Sequence, residues 1–155
     1  MTMPIDTFTE KISNLLQRNW DNSSTGLQVT EVFWSHDKFD TMAQVEQVSQ
    51  KAIISTYNPQ NPVTCQVLSR ETNMINELVV IDVLLHPAAF ETVDQAIGVR
   101  EKIRTLIQTV IHANWNVLPG AAQMTLEGEY VRGELPQIQR ESFKVSVLSF
   151  EVAPP

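Results

Sequence analysis

The sequence predicts an α+β fold: a mostly antiparallel sheet packed by an N-terminal helix and one long helix, with an extended loop or arm. Three observations predict it. Leu78, Val79, Val80, Ile81, Val83, Leu84 and Leu85 form a nearly continuous apolar run broken only by Asp82, the pattern of a central strand covered on both faces. Val93, Ile97, Ile103, Leu106, Ile107, Val110 and Ile111 then recur at helical spacing, with Arg100, Glu101, Lys102, Arg104 and Gln108 filling the other side. No repeat, low-complexity tract or linker divides the 155 residues, a single domain's worth that can bury roughly two-thirds of its unfolded surface.

In chain order, Pro4 suits a first helical position, and Ile5, Phe8, Ile12, Leu15, Leu16 and Trp20 mark one face of a packing helix. The turn formers from Asp21 to Gly26 end it. Leu27 to Ser35 alternates as a strand, whereas His36 to Gln50 fits either a loose helical turn or an extended arm. Lys51 to Tyr57 is strand-like until Asn58-Pro-Gln-Asn-Pro62 removes backbone donors and forces a turn. Val63 to Arg70 reads as a further strand, joined through Glu71 to Asn76 to the central strand, so Val63–Arg70 and Leu78–His86 are expected to form an antiparallel hairpin. Pro87 stops that strand. Thr92 with Gln95 three residues on forms a capping box for the long helix, which runs to Ala113. Pro119-Gly120 is a turn, Met124 to Tyr130 a half-exposed strand, Gly133 to Gln137 a break, and Ser142 to Val152 the last strand.

Composition excludes several chemistries. A net charge of −7 lacks the basic footprint that specific nucleic-acid binding requires. The N-terminal residues have neither a basic region nor a long apolar stretch, and no apolar run is long enough to cross a bilayer, so the expectation is a soluble, unexported protein. With Cys65 alone, no intrachain disulfide or cysteine-cluster metal site forms, and its place between Val63 and Val67 predicts a buried structural thiol. No Gly-x-Ser-x-Gly elbow is present. The glycines at 26, 98, 120, 128 and 133 make neither a dinucleotide fingerprint nor a phosphate-binding loop.

His36, His86 and His112 are widely separated, without a helical ligand spacing. His112 reads as a helix C-terminal residue favoured by the dipole, His86 as a strand-end residue, and His36 as a solvated loop residue. Asp82 is the one carboxylate whose pKa burial would raise, and it is expected either at a sheet edge or paired with an arginine such as Arg70. Gly98 inside the long helix implies close approach of another backbone, within the subunit by default. Trp20, Trp34 and Trp115 lie near element ends as core caps, with one of them a candidate for facing a partner. No catalytic, cofactor-binding or metal-binding residue is assigned.

The whole order of elements resembles the small tail terminator and tail completion proteins of long-tailed bacteriophages, which join the tail tube to the head. The similarity rests on the helix from Ile5 to Trp20, the arm His36 to Gln50, the strand and helix of Glu77 to Ala113, and the final strand ending Phe143-Lys-Val-Ser-Val-Leu-Ser-Phe-Glu-Val152. It spans nearly the whole chain without a sharp motif. The resemblance implies a non-enzymatic virion protein of the tail or neck, assembled in the host cytoplasm, that closes into a homo-oligomeric ring, read as a hexamer. Its implied partners are the tail tube protein and a head completion or connector protein. DNA would pass through the lumen without specific binding, which an acidic chain favours, and no membrane is involved. The amide-rich segments Asn58–Asn61, Thr72–Asn76 and Pro136–Gln139 are expected to be loops that contact neighbouring subunits. The alternatives are another neck or tail tube subunit, or, in a different class, a small-molecule-binding or enzymatic domain with a pocket near Asp82, His86 and His36.

Overall fold

The computed structural model describes residues 7–20, 30–34, 51–59, 62–85, 92–129 and 139–152. In chain order these are α1 (Phe8–Arg18), β1 (Thr30–Trp34), β2 (Lys51–Tyr57), β3 (Val63–Val67), β4 (Thr72–Leu85), α2 (Val93–Ala113), β5 (Gln123–Glu129) and β6 (Gln139–Val152). The architecture is α+β, with two helices and one open, mostly antiparallel sheet among the described residues, as the sequence predicts. The arm expected over His36 to Gln50 lies outside the described residues, as do Pro4, Ile5, His36 and His86.

Across the sheet the strands run β1-β2-β4-β6-β5, with only β1 and β2 parallel. β3 shares with β2 one edge of β4. β2 lies along its second half, from Ala52↔Leu85 to Tyr57↔Val80, and β3 along its first, from Val63↔Glu77 to Val67↔Asn73. The two short strands therefore form one interrupted arm of a long hairpin, closed where the Leu68 and Ser69 N–H groups both reach the Thr72 carbonyl. Between the two registers, from Tyr57↔Val80 to Val63↔Glu77, only Leu78 and Val79 of β4 intervene. The prolines at 59 and 62 have no N–H to give a ladder, and the Asn58 amide instead donates to the Leu78 carbonyl at 3.0 Å.

This corrects the expected hairpin in two respects. Val63–Val67 does pair with the central strand, but with its first half, because β2 already occupies the Leu78–Leu85 half. Thr72–Asn76 is not a loop but the start of β4, and Gln139 already belongs to β6.

Register divides the faces. Val79, Ile81, Val83 and Leu85 of β4 and Phe143, Val145 and Val147 of β6 pack with Ile54 against Ile12, Leu15 and Leu16 of α1 and Val99, Ile103, Ile107, Val110 and Ile111 of α2. Both helices thus cover one face. A fully buried isoleucine such as Ile81, Ile103 or Ile107 contributes about 1.5–3 kcal/mol by leaving water. Val80, Asp82 and Leu84 point to the other face and are also wholly buried, as the unbroken apolar run predicts. Neither described helix lies there.

The helix starts follow their caps. Thr7 caps α1, its hydroxyl accepting from the Glu10 N–H at 3.3 Å, so this helix begins at Phe8, four residues after the expected start at Pro4. Thr92 caps α2 by accepting from the Gln95 N–H at 3.1 Å, the hydroxyl half of the predicted capping box. After α2, Gly120 takes φ +82° in the predicted turn, and the Lys11 ammonium anchors that turn by donating to the Pro119 carbonyl at 2.9 Å.

Candidate functional site: a projecting ribbon and a buried carboxylate

The sheet is longer than its helical cover. β4 and β6 pair at every position from Leu85↔Gln139 to Thr72↔Val152, but only the positions from Val79 onward in β4 are buried. The first half of β4, with β3 on one side and the end of β6 on the other, is a three-stranded ribbon extending past the core. Its side chains are exposed or half-exposed on both faces. Val63, Cys65 and Val67 share the helix-side face with Ile75, while Met74, Leu148 and Phe150 share the other. Val67 is 71% exposed, and Val63, Leu68 and Phe150 are each about half exposed. These apolar side chains are carried on both faces of the projection.

Cys65 is consequently exposed, contrary to the buried thiol expected. Its apolar neighbours are real, but neither described helix covers this strand. Acidic groups surround the ribbon and the adjoining edge: Glu71, Glu127, Glu129 and Glu151 are exposed, against Arg70 at the hairpin tip and the half-buried Lys144.

The second feature is Asp82. Register places Ser55, Asp82 and Ser142 in one row across β2, β4 and β6. Tyr57 is two residues along β2 on the same face, and its hydroxyl donates to Asp82 Oδ2 at 3.0 Å. The Ser142 hydroxyl donates to the other carboxyl oxygen. Asp82 and Ser55 are completely buried, and Ser142 and Tyr57 nearly so. The expected edge position or Arg70 partner is therefore wrong. Asp82 sits mid-sheet, and Arg70, at the hairpin turn before Thr72, is about 30 Å away along the strand.

A buried carboxyl group hydrogen-bonded at both oxygens to neighbouring strands fixes their register. It costs desolvation wherever its donors are missing, and a one-residue slip of β6 would remove Ser142 from its reach. Among the described residues no cluster of His, Cys, Asp and Glu could hold a metal ion. No described helix is long and apolar enough to cross a membrane.

The remaining candidates disperse. His112 is exposed in the last turn of α2, where a cation suits the dipole. Trp20 packs partly buried against the core as a cap, whereas Trp115 is half exposed beside Val117. Gly98 has no described atom within 4 Å of where a Cβ would stand, so the expected close backbone approach is not found among the described residues. It lines instead an open groove on the outer side of α2 with Lys102, Thr105, Leu106 and Thr109. Glu141, at the start of β6, is held by α2: Arg104 Nη1 lies 2.9 Å from one oxygen and Arg100 Nε 3.8 Å from the other.

Sequence reasoning missed the ribbon and the hydroxyl partners of Asp82. The exposed side chains of β3 give a strand pattern without any sign of what covers them. Comparison with protein-family models and with curated proteins finds no match for this chain.

Proposed function

We propose that this chain is a non-enzymatic virion component, a ring-forming tail terminator that caps a tail tube and presents its other face to a head completion or connector protein. The observation carrying this reading is the three-stranded ribbon, an extension of the core sheet that carries Val63, Val67, Leu68 and Phe150 into solvent. A subunit that must contact neighbours on both sides of a ring needs such surfaces outside its own core, and identical head-to-tail contacts close when their rotation permits. The carboxylates around the ribbon and β5 favour a lumen that repels DNA rather than trapping it. The buried, hydrogen-bonded state of Asp82 supports the structural class over a pocket enzyme built on that residue.

Capping is the mechanism: the ring offers the last tube subunits one matching surface and no further polymerising surface. Assembly would take place in the host cytoplasm, with the product in the virion tail or neck. Negative-stain electron microscopy of the concentrated protein, with light-scattering mass, tests this directly. Closed rings of uniform diameter are expected on the ends of added tail tubes. A strict monomer that neither forms rings nor binds tube ends would overturn the reading.

A further inference from the structure

The open edge of β3 has a definite polarity of hydrogen-bonding groups. Leu78 N–H donates to the Pro62 carbonyl at 2.7 Å and Leu68 N–H to the Thr72 carbonyl at 3.0 Å, so positions 62 and 68 turn their backbone groups toward β4. Direction alternates along an antiparallel strand, so Thr64 and Gln66 also bond β4. The N–H and C=O groups of Val63, Cys65 and Val67 therefore point away from it. No described strand meets them there. Natural edges of this kind are guarded by charge, proline or a covering segment. β3 contains no charged residue and no proline, although the chain carries a net −7.

The residue order identifies the occupant. Val-Thr-Cys-Gln-Val has valine at both ends, a polar hydrogen-bonding residue second from each end, and Cys65 at the centre. An antiparallel second copy centred on Cys65 puts Val63 opposite Val67, Thr64 opposite Gln66, and Cys65 opposite its equivalent. Outward backbone groups then meet outward groups at all three odd positions, making about six hydrogen bonds. Exposed Leu68 falls opposite Pro62 of the second copy, lengthening the apolar strip. No like charges are opposed. The same pairing at the edge strand β5 would gather Glu127 and Glu129 from both copies, which is unfavourable.

We propose that β3 is a self-recognition edge: two copies of this chain join β3 to β3 about a two-fold axis at Cys65, making one continuous sheet through both ribbons. The contact is isologous and closes at two, so it does not rest on the ring reading.

Cys65 reports on this pairing. Opposed hydrogen-bonded residues have Cα atoms about 5.5 Å apart, within the range a disulfide spans. Diamide would take two electrons and two protons from the paired thiols, leaving one disulfide and the reduced hydrazine. The expected results for the full chain are a concentration-dependent monomer–dimer equilibrium under reducing conditions, by sedimentation, and rapid diamide cross-linking reversed by dithiothreitol. Val67→Pro removes an outward N–H while sparing the ladder to β4, so folding is retained and cross-linking slows by roughly tenfold or more. Cys65→Lys, read by sedimentation alone, opposes two ammonium groups and abolishes the dimer, which keeps the test available if the proline variant misfolds. The proposal is overturned by a monomer at every concentration, by cross-linking equally fast in Val67→Pro, or by a dimer or ring in which Cys65 does not cross-link. The last outcome would leave the ring reading standing.

Discussion

Tyr57 donates its phenolic hydrogen to Asp82 Oδ2 across 3.0 Å of buried sheet, tying β2 to the middle of β4. Removing that hydroxyl takes one hydrogen bond from a fully buried carboxyl group. Tyr57→Phe should cost about 1–2 kcal/mol, Ser142→Ala a similar amount, and Asp82→Ala about 3 kcal/mol, because the last removes both hydrogen bonds at once. Urea unfolding followed by circular dichroism would read these as lowered midpoints with unchanged slope.

The Glu141 carboxylate joins α2 to the start of β6. Glu141 is largely buried, but Arg104 is more than a third exposed, so water screens much of the attraction. A double-mutant cycle of Glu141→Gln and Arg104→Met should give a coupling of roughly 0.5–1 kcal/mol, reduced in high salt.

Gly120 occupies φ +82°, and a Cβ there would lie 3.3 Å from Lys11 Nζ. Gly120→Ala is expected to destabilise by about 1 kcal/mol through backbone strain, the lysine tip moving aside at little cost. The check is Gly120→Ala in a Lys11→Met background: the loss should persist there.

Thr92→Ala deletes the acceptor for the Gln95 N–H at the start of α2 and should cost about 1 kcal/mol, while Thr92→Asp should retain stability. Thermal unfolding distinguishes the two variants.

Amide hydrogen exchange should divide the sheet. Val79–Leu85, buried on both faces, should exchange only by global unfolding. In dilute solution the outward amides of Val63, Cys65 and Val67 should exchange far faster than those of Thr64 and Gln66. Equal protection along β3 would contradict the assigned hydrogen-bond polarity.

These features differ in how far the sequence discloses them. Leu78–Leu85 is legible because burial on both faces demands apolar residues at successive positions. Thr72–Asn76 belongs to the same strand, yet half-exposed surroundings impose no alternation, so its amides and threonine resemble a loop. β3 is legible as a strand, but its place beside the first half of β4 depends on β2 holding the second half, which no local pattern encodes. Asp82 stands out in its apolar run. Its donors do not, being 25 and 60 residues away and fixed only by register.

The full-length pairing of β4 with β6 also governs how the chain must fold. The β2–β3 and β4 limbs meet through the short turn before Thr72, but β6 follows α2 and β5 and joins residues as distant as Thr72 and Val152. Closing that pairing gathers in the intervening helix and strand, so folding belongs in the millisecond-to-second range of non-local sheets. During synthesis, the apolar run of β4 emerges well before β6, which flanks it on the edge away from β2 and β3, and the nascent chain carries that unpaired aggregation-prone edge until β6 is made.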